Sequence, residues 1–233
     1  MTSDLPVVLV PGLLCSARLY APQIAALWPY GQVAVADHRR DASMATIAAR
    51  ILANAPPRFA LAGLSMGGYI AFAMLRLAPE RIAKLALLDT SARPDTPEQS
   101  TAREKFISMA GEGRLAEVVE TLAPRFLHQN RAQDPALREL VRDMASDTGA
   151  DAFVRQQKAI MSRPDARPLL ASIRCPTVVL VGDGDQLTPP DLAREISAGI
   201  HEARLVVVPD CGHLSTVERP TAVNAALAEW LGR

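Results

Sequence analysis

Residues 62–71 read AGLSMGGYIA, which sets one serine, Ser65, among Gly63, Gly67 and Gly68, between an apolar run and a run with helical spacing. A buried strand needs no serine at its tip, and glycine weakens a helix start, so local stability does not select this composition. G-x-S-x-G directly after a strand and before a helix suits a sharp turn that holds a hydroxyl clear of a sheet edge. The new helix then aims its N–H groups at the same point. The bland alternative is a serine that only caps the helix.

A serine hydroxyl is a weak nucleophile near neutral pH and needs an adjacent base, which in turn needs an orienting acid. Four histidines are available. His38 follows a strand candidate, and His128 and His201 stand in polar stretches. His213 alone occupies a loop, PDCGHLSTVERP, between a strand end and a final helical run. In a parallel sheet that loop opens at the same edge as the serine turn. The strand before it runs into VGDGDQLTPP, which offers Asp183 and Asp185 as acids. Ser65, Asp185 and His213 follow the Ser, Asp, His order of one class of hydrolases.

These residues need a scaffold, and the chain alternates short apolar runs with helical patterns. Strands are expected at 7–10 (VVLV), 33–37 (VAVAD), 59–63 (FALAG), 85–89 (LALLD), 177–182 (TVVLVG) and 205–209 (LVVVP). Nearly all are apolar at every position, as in a parallel sheet covered on both faces. Met44, Ile47, Ala48 and Ile51 form one stripe of a crossover helix that Ser43 can cap.

Between residues 91 and 174 the alternation stops and only helices are expected. Thr96-Pro97-Glu98-Gln99 has the form of a capping box with proline at the first helical position. Leu115, Val118, Val119 and Leu122 make a second helix, and Asp134-Pro135 opens a third, with Leu137, Leu140, Val141 and Met144. Residues 153–161 make a fourth. The expectation is an α/β core from 1–90 and 175–233, with 91–174 as a four-helix cap.

At 233 residues, 49% of them hydrophobic, one large core is expected. Lys+Arg and Asp+Glu both number 25, so no net field gathers nucleic acid or an anionic membrane. No apolar run approaches bilayer length. The run near the N-terminus lacks a preceding basic residue and is broken at Pro11-Gly12, so it reads as strand and turn, not as a signal peptide. Cys15, Cys175 and Cys211 are odd in number and widely spaced, which argues against disulfides or a zinc site and places the protein in the cytoplasm. Cys15 and Cys211 read as small buried residues.

Four motifs together, PGLLC, GLSMGG, GDGDQLTPP and GHLSTVERP, make the chain resemble the α/β-hydrolase superfamily over nearly its whole length. Within it the chain looks most like small capped bacterial esterases and lactonases, similar to enol-lactonases and pimeloyl-ester esterases. The resemblance implies about six parallel strands with helices on both faces. Ser65 would be nucleophile and His213 the general base and then acid. Asp185, three residues after the glycine of its motif, would fix the imidazole tautomer, leaving Asp183 to brace the loop. The backbone N–H groups of Leu13 and Met66 would form the oxyanion hole.

The activity so implied is hydrolysis of a small-molecule ester with a largely apolar acyl group, through an acyl-enzyme and with no metal or organic cofactor. Lactonase, C–C hydrolase and perhydrolase chemistry use the same three residues. A ligand receptor with vestigial turnover stands further off. The chain departs from the family in two places that bear on the site. Pro11-Gly12 stands where the family carries histidine-glycine, so the hydrogen bond of that histidine behind the oxyanion turn is expected to be missing. ADHRRDASM, after the second strand, lacks the frequent glycine-rich turn and leaves the wall near His38 undefined.

Overall fold

β1 (Val7–Val10) and β3 (Phe59–Leu64) lie side by side and parallel, with Val10 opposite Gly63 at their C-terminal ends. They are the middle of the computed structural model, which describes residues 5–232. β2 (Val33–Val35) flanks β1, while β4 (Ile82–Leu88), β5 (Thr177–Gly182) and β6 (Arg204–Val208) continue beyond β3. The six strands run in the order β2-β1-β3-β4-β5-β6, all parallel. The winding reverses between β1 and β3, and a crevice opens where connections depart in opposite directions.

Alternation along each strand divides the core in two. Val7, Leu9, Ala60, Ala62, Ala86 and Leu88 face one apolar layer, and Val8, Val10, Phe59, Leu61, Leu85 and Leu87 face the other. The first layer is covered by α1 (Ala21–Leu27) and, at the C-terminal end of the chain, the helix Pro220–Gly232. The second is covered by α2 (Met44–Asn54), α3 (Met66–Leu77) and the helix Pro190–Gly199. Every apolar position expected on the α2 stripe is buried, and the Ser43 hydroxyl accepts the Thr46 N–H. The central strands are buried at every position but Ala83, whereas β2 and β6 are only partly covered because each has a neighbour on one side alone.

Between β4 and β5 there is no strand. The chain forms α4 (Pro97–Gly111), α5 (Leu115–Phe126), α6 (Pro135–Thr148), α7 (Ala150–Met161) and the short α8 (Arg167–Leu170). The Thr96–Gln99 capping box is complete, and Asp134 caps α6 by accepting from the N–H groups of Ala136 and Leu137. α4 packs on α7 and on α5, while α8 leaves this group and packs on α9 (Pro190–Gly199). The remaining helices are α10 (Ser215–Glu218) and α11 (Pro220–Gly232). Among the described residues no helix is long and apolar enough to cross a membrane.

Several strand ends differ from the sequence expectation: β3 runs one residue further, to Leu64, β4 begins at Ile82 instead of Leu85, and β6 spans Arg204–Val208 instead of 205–209. β4 stops at Leu88 because Asp89 turns into the left-handed region, with φ 45°. β2 stops at Val35, although the Ala36 N–H still donates to the Leu9 carbonyl at 2.9 Å.

The glycines around Ser65 are there for clearance. A Cβ on Gly67 would overlap the Val10 carbonyl oxygen, one on Gly63 the Gly67 carbonyl, and one on Gly68 the Thr90 side chain. Gly111, at the end of α4, has open space around it. Gly67→Ala is therefore expected to lose about 3 kcal/mol or more in denaturant titration. Gly111→Ala should stay within about 1 kcal/mol of the parent. Equal behaviour of the two variants would show that the turn at residue 65 is not sterically closed.

Candidate active site

Ser65 stands between the end of β3 and the first turn of α3 with φ 56° and ψ −114°, a conformation that costs a non-glycine residue on the order of 1–3 kcal/mol. Its neighbours hold it there. The Ser65 N–H donates to the Leu88 carbonyl at 2.9 Å, and its carbonyl accepts from the Thr90 hydroxyl at 2.8 Å and from the Gly68 N–H at 2.9 Å. The serine occupies the N-cap position of α3, yet its side chain caps no helix N–H. The Ser65 hydroxyl therefore does not act as the cap of α3, which leaves the capping explanation without support.

Ser65 lines a cavity of about 300 Å³ together with Gly12, Leu13, Thr188 and His213 from the sheet edge. α4, α5 and α7 close it from above with Phe106, Leu122, Arg125, Phe126, Gln157 and Ile160 among others. Leu13 lies on the turn after β1, closed by the Cys15 N–H donating to the Gly12 carbonyl at 3.2 Å. Met66 is the first residue of α3 and is wholly buried in the core; unlike Leu13, it is not among the residues that line the cavity.

His213 is almost wholly buried, and each residue of its loop is tied down. The Cys211 N–H donates to Asp183 Oδ1 at 3.1 Å, the Gly212 N–H to Glu218 Oε1 at 2.9 Å, and the Leu214 N–H to the Phe126 carbonyl at 3.1 Å. His213 Nδ1 lies 2.8 Å from Asp185 Oδ2, and the ring of Phe126 stacks on the imidazole with centroids 6.2 Å apart. Asp185 is in turn fixed: Oδ1 accepts the N–H groups of Leu187 at 2.8 Å and Thr188 at 3.0 Å, and Oδ2 accepts the Thr188 hydroxyl at 2.7 Å. A carboxylate has no proton to give, so the proton on this bond belongs to Nδ1 and the neutral ring keeps Nε2 as its basic nitrogen.

The charges agree with that arrangement. Burial alone would raise the Asp185 carboxyl, but the charge and hydrogen bond of His213, with the Thr188 N–H and hydroxyl, hold it below the usual value. Burial would lower the His213 imidazole, but the Asp185 carboxylate and then the charge of Asp89 outweigh it, and the ring is raised above 6.5.

The structure brings Asp185, and not Asp183, to His213, and it places Ser65, Leu13 and His213 around one cavity. Several contributors gave no sign of themselves in the sequence. Glu218 also accepts the His128 N–H at 2.8 Å, so His128, read as a residue of a polar stretch, is in fact buried beneath the base loop. Asp89, fully buried, accepts the Gly182 N–H at 3.0 Å and the Ser215 hydroxyl, joining the acid and base loops. Burial, with the Asp185 charge nearby, raises its carboxyl well above the ordinary value. Gln156 did leave a signal: it stands on the same buried face of α7 as Phe153 and Ile160, a polar residue at an apolar position. Cys15 and Cys211 are both buried, and desolvation pushes the Cys15 thiol up to about 12, away from nucleophilic use.

A family model described as the alpha/beta hydrolase family matches residues 7–226. The chain belongs to that family. Among solved structures the hydrolase is similar to a thermophilic esterase from Thermogutta terrifontis with malate bound, at 31% identity and a TM-score of 0.89, covering 99% of this chain and 90% of that one. It is similar to the enol-lactonase of Burkholderia xenovorans LB400 at 25% identity and a TM-score of 0.89, over 99% and 91% of the two chains. A pimeloyl-[acyl-carrier protein] methyl ester esterase of Neisseria meningitidis is 24% identical over 221 residues, 90% of the hydrolase and 85% of the esterase.

The electrostatics of His213 can be read directly by NMR titration of its ring. The midpoint is expected above 6.5 in the parent. In Asp185→Asn it should fall below that value, since burial is the largest remaining influence and favours the neutral ring. A midpoint unmoved by that substitution would contradict the pairing.

Proposed function

We propose that this hydrolase cleaves carboxylic esters of small, largely apolar acyl groups through a serine-bound acyl intermediate. The observation that carries the reading is the convergence on one cavity of Ser65, strained and free of any capping task, and His213, whose Nδ1 is held by Asp185 at 2.8 Å. In the first half-reaction Ser65 Oγ bonds to the carbonyl carbon while its proton passes to His213 Nε2. The N–H groups of Leu13 and Met66 receive the negative charge that develops on the carbonyl oxygen. Collapse breaks the carbon–alkoxy bond, and the Nε2 proton leaves with the alcohol. Water then attacks the acyl carbon, gives its proton to Nε2, and releases the acid as the proton returns to Ser65. Residues 91–174 serve as the cap, and Leu122, Phe126, Phe106 and Ile160 offer an apolar wall to the acyl group. The thiols Cys15, Cys175 and Cys211, all unpaired, suit a reducing cytoplasm.

A fluorophosphonate should label Ser65, and Ser65→Ala should abolish labelling and lower ester turnover on the order of a millionfold. Asp185→Asn should fold and lose roughly ten-thousandfold in rate, by the precedent of the triad proteases. Asp183→Asn keeps an oxygen for the Cys211 N–H and should retain most activity. Labelling that persists in Ser65→Ala would end the serine reading.

One observation favours a second substrate class, carboxylated esters or lactones. Arg163 is buried rather than solvated. It lies over the Tyr69 ring at 4.2 Å and pairs with Asp95, which also takes Arg103. Arg93 pairs with Glu195. Arg125, exposed yet lining the same cavity, has no ion pair among the described residues, and a substrate carboxylate would supply one. An enol-lactonase stands among the similar structures. In a panel of neutral esters, carboxylated esters and lactones, this class predicts that Arg125→Ala raises KM about tenfold for the carboxylated members only, with kcat little changed. A uniform response across the panel would leave the neutral esters as the substrate class.

A further inference from the structure

Pro11-Gly12 deprives the turn after β1 of the histidine expected behind it, and yet an imidazole is there. It comes from the loop after another strand. His38, beyond β2, is buried, and its Nε2 lies 2.9 Å from the Gly12 carbonyl oxygen. On the other side Gln156 of α7, fully buried, accepts the Leu14 N–H through Oε1 at 3.1 Å. Leu14 itself has φ 59°, so the turn is held in a conformation its sequence does not favour.

A trans peptide unit points its C=O and its N–H in opposite directions. The Gly12 carbonyl and the Leu13 N–H belong to one such unit, so a donor that grips the carbonyl from behind aims the N–H forward. The Leu13 carbonyl and the Leu14 N–H form the next unit, which Gln156 grips in turn. We propose that His38 is a positioning residue that, from the loop after β2, holds the oxyanion-hole donor Leu13 N–H toward the cavity, with Gln156 locking the adjoining peptide. This rests on the reading of Leu13 as an oxyanion donor.

The proton count on the ring supports the assignment. The Gly12 oxygen can only accept, so the close contact places the proton on His38 Nε2. Gln156 Nε2 lies 3.2 Å from the same nitrogen; because the Leu14 N–H requires Oε1 on its side, this is a contact between two donors and not a hydrogen bond when Nε2 carries the proton. Burial pushes the His38 imidazole below its usual value, so the ring is neutral and has one N–H to give. The Cys15 N–H also reaches the Gly12 oxygen, at 3.2 Å, but it comes from within the same turn and moves with it. His38 is anchored outside the turn.

The test compares reach at constant chemistry. The amide nitrogen of glutamine can stand in for imidazole Nε2, whereas that of asparagine corresponds to Nδ1 and falls short of Gly12. His38→Asn and His38→Leu are expected to lower kcat about tenfold or more, with KM little changed. That is less than the 10²–10³ lost when an oxyanion donor is removed, because here the donor is loosened, not deleted. The rate of Ser65 labelling by a fluorophosphonate should fall in parallel, since that adduct also places an oxygen in the hole. His38→Gln should recover most of both rates. If His38→Leu fails to fold, the asparagine and glutamine pair decides. Asparagine and glutamine variants that are equal in kcat and labelling rate, while wild type is labelled normally, would overturn the role of His38 alone. A wild-type chain that is not labelled at Ser65 would overturn the reading of the site and this proposal with it.

Discussion

The first turn of α3 crosses the C-terminal ends of β1 and β3 with backbone against backbone: Gly67 lies on the Val10 carbonyl, and Gly63 lies under the Gly67 carbonyl. Nothing larger than hydrogen fits at either position. This contact places Ser65 in the left-handed region and brings the start of a helix beside the turn that carries Leu13. It also lies at the reversal of the sheet winding, where β1 and β3 send their connections in opposite directions and leave a crevice between them. The strain at Ser65 is borne by the apolar burial of both strands, which are covered on both faces.

Around this fixed point the site is assembled by buried polar groups that reach between segments far apart in the chain. Asp89, after β4, holds the N–H that ends β5 and the hydroxyl two residues beyond His213. Glu218 holds the loop of His213 and the chain leaving α5, and the Phe126 carbonyl at the end of α5 holds Leu214. Each such group is costly to bury alone, on the order of 1–3 kcal/mol if left without a partner. The partners are backbone N–H groups that would themselves be orphaned. The loops that carry Asp185 and His213 thus have few alternative conformations.

The insertion between β4 and β5 does more than cover the cavity. α5 supplies the ring stacked on His213, α7 supplies the amide bonded to Leu14, and Asp95 joins the entry of the insertion to Arg103 on α4 and to Arg163 just beyond α7. The helices that line the cavity also brace the loops that carry Leu14, His213 and Leu214. A substitution in them can therefore reach the chemistry without touching a substrate, through the Leu14 and Leu214 backbones.

Much of this was legible in one dimension. Apolar runs such as VVLV and TVVLVG report burial on both faces directly, and the stripe Met44, Ile47, Ala48, Ile51 reports a helix, because both patterns are local consequences of backbone period. The glycines around Ser65 pointed to a close approach, since a residue without a Cβ is what a tight backbone contact needs. The ends of β2 and β4 were less legible, because a strand ends where its partner or a left-handed residue dictates. Asp185 and Asp183 lie two residues apart on one loop, and it is the path of the His213 loop that gives one the imidazole and the other the Cys211 N–H. His38, Gln156, Asp89 and Glu218 lie beyond the reach of motif and period, apart from the polar break that Gln156 makes in an apolar stripe. Their roles come from contacts across 26 to 142 residues of chain, except that of Glu218 on Gly212, and no local pattern encodes which backbone group a buried side chain will meet. Local chemistry and periodicity determined the strands, the helices and the turn that carries Ser65; the packing of distant segments determined which carboxylate, which histidine and which amide stand behind it.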